Sequence, residues 1–243
     1  MRIPRIYTPQ ALSPQQDLIL EDDAAHHIAR VLRMAAGAEL ALFNGDGNEY
    51  AARIFSVDKK QVVIAIERAA IAERESPLHI HLGIAISKGE RMDWIIQKAT
   101  ELGVSQITPL ISERVEVRLQ GEREEKRLAH WRGVVIAACE QCLRNRLPLV
   151  DNVTSFSKWI ADVRADAKFV LHHRSATALD ARHEKPKDVA LLIGPEGGLS
   201  DSEIALAERY AFAGLRLGPR VLRTETAPLA ALSVLQYLWG DLR

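Results

Sequence analysis

Two glycine-bearing stretches in the last third of the chain have residue types and spacing suited to holding a ligand. The first is Leu191-Leu192-Ile193-Gly194-Pro195-Glu196-Gly197-Gly198-Leu199-Ser200. An apolar run of the kind found in strands buried on both faces leads into a glycine-rich turn. Ser200, with Glu203 three residues on, reads as a capping box that opens a helix. Glycine lets backbone come close to a ligand, and open α/β sheets bind their ligands in the loops at the carboxyl ends of parallel strands. The second stretch runs Leu215-Arg216-Leu217-Gly218-Pro219-Arg220-Val221-Leu222-Arg223-Thr224-Glu225-Thr226-Ala227. It repeats the pattern, with Thr224 or Thr226 as the cap of a helix over 229–239. The familiar nucleotide motifs do not fit. No Lys-Ser/Thr follows the glycines, as a P-loop requires, and G-P-E-G-G lacks the spacing of G-x-G-x-x-G. A tight turn without a ligand is the plain alternative for either stretch. Two such turns, each after a short apolar strand, can converge on one pocket.

Such loops need a parallel sheet to place them, and residues 79–239 alternate strand and helix as that requires. Strands are expected at 79–86, 107–110, 169–172 and 189–193. Met92, Ile95, Ile96, Ala99 and Leu102 recur at helical spacing and Gly103 follows as a stop. Further helices are expected over 123–141 and, capped by Ser155, over 156–163. Upstream the chain reads as β-rich. Strands are expected at 3–7, 18–20, 39–43, 50–57 and 61–66, with a helix after a cap at Asp22 or Asp23. Asn44-Gly45-Asp46-Gly47 joins two of these strands as a hairpin. The charged stretch 70–77, ending in proline, marks a boundary and gives domains of 1–72 and 73–243.

A hydrophobic fraction of 47% against 26% charged residues is that of a globular chain able to bury a core. No apolar run approaches a membrane span, and the first residues begin no secretory signal, so the cytoplasm is the expected location. Thirty-two basic and thirty-two acidic side chains cancel, so an RNA partner has to be held by a local patch. Cys139 and Cys142 are spaced C-x-x-C. Zinc would need two further ligands, and no second C-x-x-C is present. The pair reads as two helix thiols without metal.

The two C-terminal stretches together resemble the signature of SPOUT methyltransferases, and within them the ribosomal RNA small subunit methyltransferase E family. That family carries a G-P-E-G-G loop and an L-G-x-R-x-L-R-x-E-T-A loop. The resemblance extends to Lys88-Gly89-Glu90-Arg91-Met92-Asp93-Trp94, to Lys98-Ala99-Thr100-Glu101-Leu102-Gly103-Val104, to Glu140-Gln141, and to Ala25-His26-His27-Ile28-Ala29-Arg30-Val31-Leu32-Arg33. It thus covers nearly the whole chain. Cys142 departs from the pattern, which has serine there. The resemblance implies an α/β fold: an N-terminal PUA-like β-barrel that meets RNA, then a C-terminal SPOUT domain with a deep trefoil knot, an exception to the rule against knots. It implies S-adenosylmethionine as cofactor, held largely by backbone at Gly194, Pro195, Glu196, Gly197, Gly198 and Gly218. Leu217 and Leu222 would border the adenine, and Leu171 and His172 would form a third loop. It implies a homodimer acting on N3 of a specific uridine in 16S rRNA, free or within the assembled small subunit.

Given that reaction, Arg223 is the leading catalytic candidate. N3 of uridine is a poor nucleophile until its proton is lost, and the resulting anion spreads onto O2 and O4. A planar guanidinium can donate two hydrogen bonds to such a charge. Glu225 can accept the proton or simply pair with Arg223. Arg30 and Arg33 lie three apart and can grip neighbouring phosphates, joined by Arg2 and Arg5 from the first strand. Lys88 and Arg91 open a helix, where cations oppose the dipole, and phosphate binding is a use for that placement. His26 and His27 can be read as RNA contacts or metal ligands, but adjacent helical positions point them apart, which argues against a shared metal; the plain reading has His27 core-side and His26 exposed. The competing functions are a SPOUT methyltransferase acting on another RNA atom, a non-catalytic RNA-binding protein that kept the fold, and an oxidoreductase built on Cys139 and Cys142.

Overall fold

The computed structural model describes residues 3–58, 61–117, 119–172 and 185–243, so Arg2 lies outside the described residues. The chain divides into two compact units, Met1–Glu75 with Cys139–Leu147, and Ser76–Ala138 with Pro148–Arg243.

The first unit contains β1 (Arg5–Tyr7), β2 (Gln16–Ile19), α1 (Asp22–His26), β3 (Glu39–Phe43), β4 (Asn48–Val57) and β5 (Val62–Ile71). The strands form one sheet in the order β1-β3-β4-β5-β2, in which, among the described residues, only the β1–β3 pairing is parallel. Alternation along β4 and β5 sends Tyr50, Ala52, Ile54, Val62, Ile64 and Ile66 inward, where they meet Ile28 and Leu42. α1 has Glu21 at its N-cap position with no side-chain cap, so Asp22 and Asp23 lie within the helix rather than capping it. It runs on into a single π-helical turn, His27–Val31, the kind of widened turn that often marks a functional segment.

The stretch Cys139–Leu147 belongs to this unit through long-range polar contacts. Tyr7 N–H donates to Glu140 Oε1 at 3.0 Å, and Arg144 Nη2 donates to Glu75 Oε2 at 2.5 Å. Arg5 was expected to contact RNA, but the structure uses it as a buried strut. It is 7% exposed, is ion-paired with Glu49, and donates through Nη2 to Asn145 Oδ1 at 2.6 Å and to the Arg144 carbonyl at 3.2 Å. A guanidinium removed from water in this way has no face left for a phosphate.

The second unit holds β6 (His79–Ala85), α2 (Glu90–Glu101), β7 (Gln106–Ile111), most of α3 (Glu122–Cys142), β8 (Leu149–Val150), β9 (Thr154–Ser155), α4 (Phe156–Asp162), β10 (Ala167–Leu171), β11 (Asp188–Ile193), α5 (Asp201–Arg209), β12 (Ala213–Leu215) and α6 (Thr226–Trp239). Every strand pairing is parallel, in the order β12-β10-β11-β6-β7-β8, with β9 also on β7. β11 is central and Val189 through Ile193 are all buried, as a strand covered on both faces requires. Local signals set the helix starts: Ser155 accepts from Lys158 N–H, and Ser200 and Glu203 form the full capping box. α6 differs. Its N-cap position is Glu225, with no side-chain cap, rather than Thr224 or Thr226.

Candidate active site

Because β12, β10 and β11 are neighbours and parallel, the loops that leave their carboxyl ends lie side by side. They enclose a cleft of about 500 Å³. Leu171 and His172 line it from β10, Gly194 through Leu199 from β11, and Leu215 through Leu222, with Thr224 and Ala227, from β12. All the residues assigned to the cofactor from sequence thus face one space.

The turn after β11 is tight. Gly198 N–H donates to the Pro195 carbonyl at 2.8 Å, and Gly198 has φ +68°. Close approach is required at Gly194, where a Cβ would fall 2.9 Å from Leu199 Cγ and 3.0 Å from Leu199 N. At Gly197 an added Cβ would sit 3.5 Å from Cβ and Cδ of Arg114, ordinary contact.

Charge at the cleft is local and mostly positive. Arg114, Arg216 and Arg220 line it, with Glu196 as the one acidic group among the described lining residues. Glu196 is itself tied down. Its Oε1 accepts from Arg91 Nη1 at 2.9 Å and from Lys88 N–H at 3.1 Å. Burial pushes the carboxyl up, but hydrogen bonds from its own N–H, from Lys88 N–H and from Arg91 hold it below the usual glutamate value. The tie is therefore complete above the ordinary pKa of ~4.3 and is lost as pH falls through the depressed value.

Arg91 also places Nε 4.0 Å from Glu225 Oε2. One side chain from α2 thus links the loop after β11 to the loop after β12. Lys88 Nζ is ion-paired with Glu116. These two cations, expected to meet phosphates, hold carboxylates in the structure. The sequence reading also left open a pair between Arg223 and Glu225. Glu225 turns instead to Arg91, and Arg223 is exposed and makes no ion pair with a described residue. Arg223 does not line the cleft, although Leu222 and Thr224 on either side of it do. Its carbonyl accepts from Thr226 and Ala227 N–H, both at 2.9 Å, and so starts α6.

Sequence reasoning missed Arg114. It lies in the segment Ser112-Glu113-Arg114 that follows the last residue of β7, Ile111. A cation just past the carboxyl end of a parallel strand was the available signal.

Comparison with known proteins agrees with this geometry. Residues 74–236 match the family model of an RNA methyltransferase domain, and residues 20–67 match an RNA methyltransferase PUA domain. Ribosomal RNA small subunit methyltransferase E of Buchnera aphidicola subsp. Schizaphis graminum is 40% identical over 99% of this chain and 98% of its own. The Bacillus subtilis protein of the same name is 30% identical over 95% and 93%. The chain belongs to the ribosomal RNA small subunit methyltransferase E family. A crystal structure of the Neisseria gonorrhoeae member bound to S-adenosyl methionine superposes with a TM-score of 0.93 at 38% identity, covering all of both chains. A putative methyltransferase from Legionella pneumophila, in complex with bound cofactor SAM, gives 0.95 at 46%, again over both chains entire. The PUA-like first unit and the methyltransferase second unit are thus the family's fold.

In the first unit Arg30 and Arg33 are both exposed, Arg30 on the π-helical turn and Arg33 just after it with φ +51°. His26 is exposed and His27 half-buried. Cys139 and Cys142 are free thiols. Cys139 is fully buried, and its hydrogen bond with Cys142, then burial, push its ionisation far up. A thiol so held is a poor nucleophile. Replacing both cysteines by alanine is expected to retain most methyl transfer, checked by a transfer assay before and after chelation. Loss on chelation would contradict it. No helix among the described residues is long and apolar enough to cross a membrane.

Proposed function

We propose that this protein transfers a methyl group from S-adenosylmethionine to N3 of a specific uridine in 16S rRNA. The observation that carries the reading is the cleft itself. Three loops from adjacent parallel strands enclose it, a glycine turn forms its floor, and Arg114, Arg216 and Arg220 give it a positive lining. The residues fit the cofactor: a volume of about 500 Å³ lies within the range of small-molecule sites, and at Gly194 a Cβ would stand 3.0 Å from Leu199 N, so the turn packs this closely only with glycine. Gly194, Pro195, Glu196, Gly197, Gly198 and Gly218 would present backbone groups, Leu217 and Leu222 would border the adenine, and Leu171 and His172 would close the far side. S-adenosylmethionine supplies an activated methyl group when bound. The trefoil knot belongs to this reading, and the side-by-side loops after β10, β11 and β12 support it.

The chain's own chemistry concerns the uracil. Arg223, exposed beside the cleft, would donate hydrogen bonds to the O2 and O4 charge that appears when N3 loses its proton. Glu225, held 4.0 Å from Arg91 Nε, would take that proton or pass it to solvent. Arg30 and Arg33 would meet phosphates of the RNA, and Lys88 and Arg91, about half exposed beyond their ion pairs, can join them. The reaction belongs in the cytoplasm, on free RNA or the assembled subunit. Titration calorimetry with S-adenosylmethionine tests the cofactor assignment: one site per chain supports it, and no heat at millimolar ligand would overturn it.

The protein is also proposed to act as a homodimer through α6. Leu232, Leu235 and Trp239 of that helix are buried in the chain's own core, so they are not available to a partner. Ala230, Ser233, Val234 and Tyr237 recur at i, i+3, i+4 and i+7 on another face, none of them buried, with Tyr237 62% exposed. Light scattering at micromolar concentration is expected to give twice the chain mass, and Tyr237→Glu to lower it toward one chain. A single-chain mass for the unaltered protein would contradict the dimer.

A further inference from the structure

We propose that Arg114 is a positioning residue, a brace that holds the 194–200 loop in the shape that receives the cofactor. The proposal rests on the cofactor assignment above. Arg114 Nη1 donates to the Gly197 carbonyl at 2.7 Å and reaches the Leu199 carbonyl at 3.4 Å. The peptide that follows Gly197 carries the Gly198 N–H, which closes the turn onto the Pro195 carbonyl. A trans peptide is planar, so fixing its carbonyl also fixes the direction of its N–H. Arg114 therefore sets the turn from outside while Gly198 closes it from within.

The neighbouring residue grips the other end of the same loop. Glu113 N–H donates to Glu203 Oε1 at 2.9 Å, and Glu113 Oε1 accepts from Ser202 Oγ at 3.0 Å. Glu203 Oε2 in turn accepts from Ser200 N–H at 2.9 Å. The pair Glu113-Arg114, set by the end of β7, thus holds both the turn and the helix start that follows it. The φ of Gly197 is not in the left-handed region, and a Cβ there would meet the stem of Arg114 at 3.5 Å, in ordinary contact. The brace therefore acts through the Gly197 carbonyl rather than through space left by its missing side chain.

A residue acting through the loop's shape affects cofactor affinity more than the chemical step. Arg114→Ala is expected to weaken S-adenosylmethionine binding by roughly 10- to 100-fold, the usual scale for removing a charge-assisted hydrogen bond. At saturating cofactor kcat should fall less than about 3-fold, because uniform binding is what is lost. Arg114→Lys, a point charge without the fork, is expected to recover only part of the affinity. The unaltered protein is titrated alongside: its failure to bind would overturn the cofactor assignment rather than the brace. If it binds and a folded Arg114→Ala protein binds equally well, or loses kcat with affinity intact, the brace is wrong. Should Arg114→Ala not fold, Arg114→Lys carries the test alone, and unchanged affinity there would overturn the proposal.

Discussion

Arg223→Ala is expected to bind S-adenosylmethionine almost normally and to lose methyl transfer by ~10²-fold or more, the usual cost of removing one donor aimed at developing charge. The structure makes this test clean. Arg223 is exposed and makes no ion pair with a described residue, so its removal strands no buried partner. Surface changes of this kind usually shift stability by less than about 0.5 kcal/mol. Loss of transfer would then report chemistry rather than folding. The contact is stronger with the uracil anion than with either bound substrate, so the effect belongs in kcat. Arg223→Lys should rescue little, because an ammonium cannot reproduce two coplanar donors. Raising the pH should partly restore the alanine variant, since more uridine ionises unaided. Single-turnover rates against pH measure this directly. A variant that loses cofactor affinity or melts early, with no pH rescue, would make Arg223 a structural residue and move the catalytic role within the 222–227 loop.

Gly194→Val should produce the second large effect, this time on cofactor affinity. A Cβ at 194 would lie 2.9 Å from Leu199 Cγ, 3.0 Å from Leu199 N and 3.2 Å from the Gly198 carbonyl carbon. The side chain can rotate away, but the two backbone atoms belong to the turn that forms the cleft floor. Forcing them apart costs on the order of 1–3 kcal/mol, or roughly 5- to 150-fold if the strain falls on the binding-competent loop. Gly218→Val should act differently: nothing lies within 4 Å of its Cβ, and the strain comes from φ +80°. Calorimetric affinities for Gly194→Val and Gly218→Val, compared with thermal melts, separate steric crowding of the turn from backbone strain and general destabilisation. Equal affinity in a folded Gly194→Val protein would move the cofactor out of this cleft.

Where a signal is local, the sequence already carries the structure. β3 occupies 39–43, ending at the Asn44–Gly47 hairpin turn, Ser155 caps α4, and Ser200 and Glu203 close their capping box. The apolar run before Gly194 is a central parallel strand, and the motif loops that follow β11 and β12 face one cleft. What was not legible depends on partners far along the chain. Arg5 looks like a phosphate contact until Asn145, 140 residues on, is placed against it. The same contacts bring Cys139–Leu147 into the first unit, which no composition shift marks. Arg91 reads as an unfavourable cation at a helix start, but its carboxylates come from two loops more than a hundred residues away. Zero net charge hides the positive cleft lining, because Arg114, Arg216 and Arg220 become neighbours only when β7 and β12 join one sheet. The caps at Glu21 and Glu225 bond through no side chain, so preference for Asp or Thr had nothing to act on.

The central claim is a methyl group placed on N3 of one uridine of 16S rRNA. Mass spectrometry of nucleosides from 16S rRNA, prepared from cells with and without this protein, tests it most directly. The account predicts that 3-methyluridine is present with the protein, absent without it, and restored by the unaltered gene but not by Arg223→Ala. An unchanged level of 3-methyluridine, or the loss of a ribose or guanine methylation in its place, would contradict it.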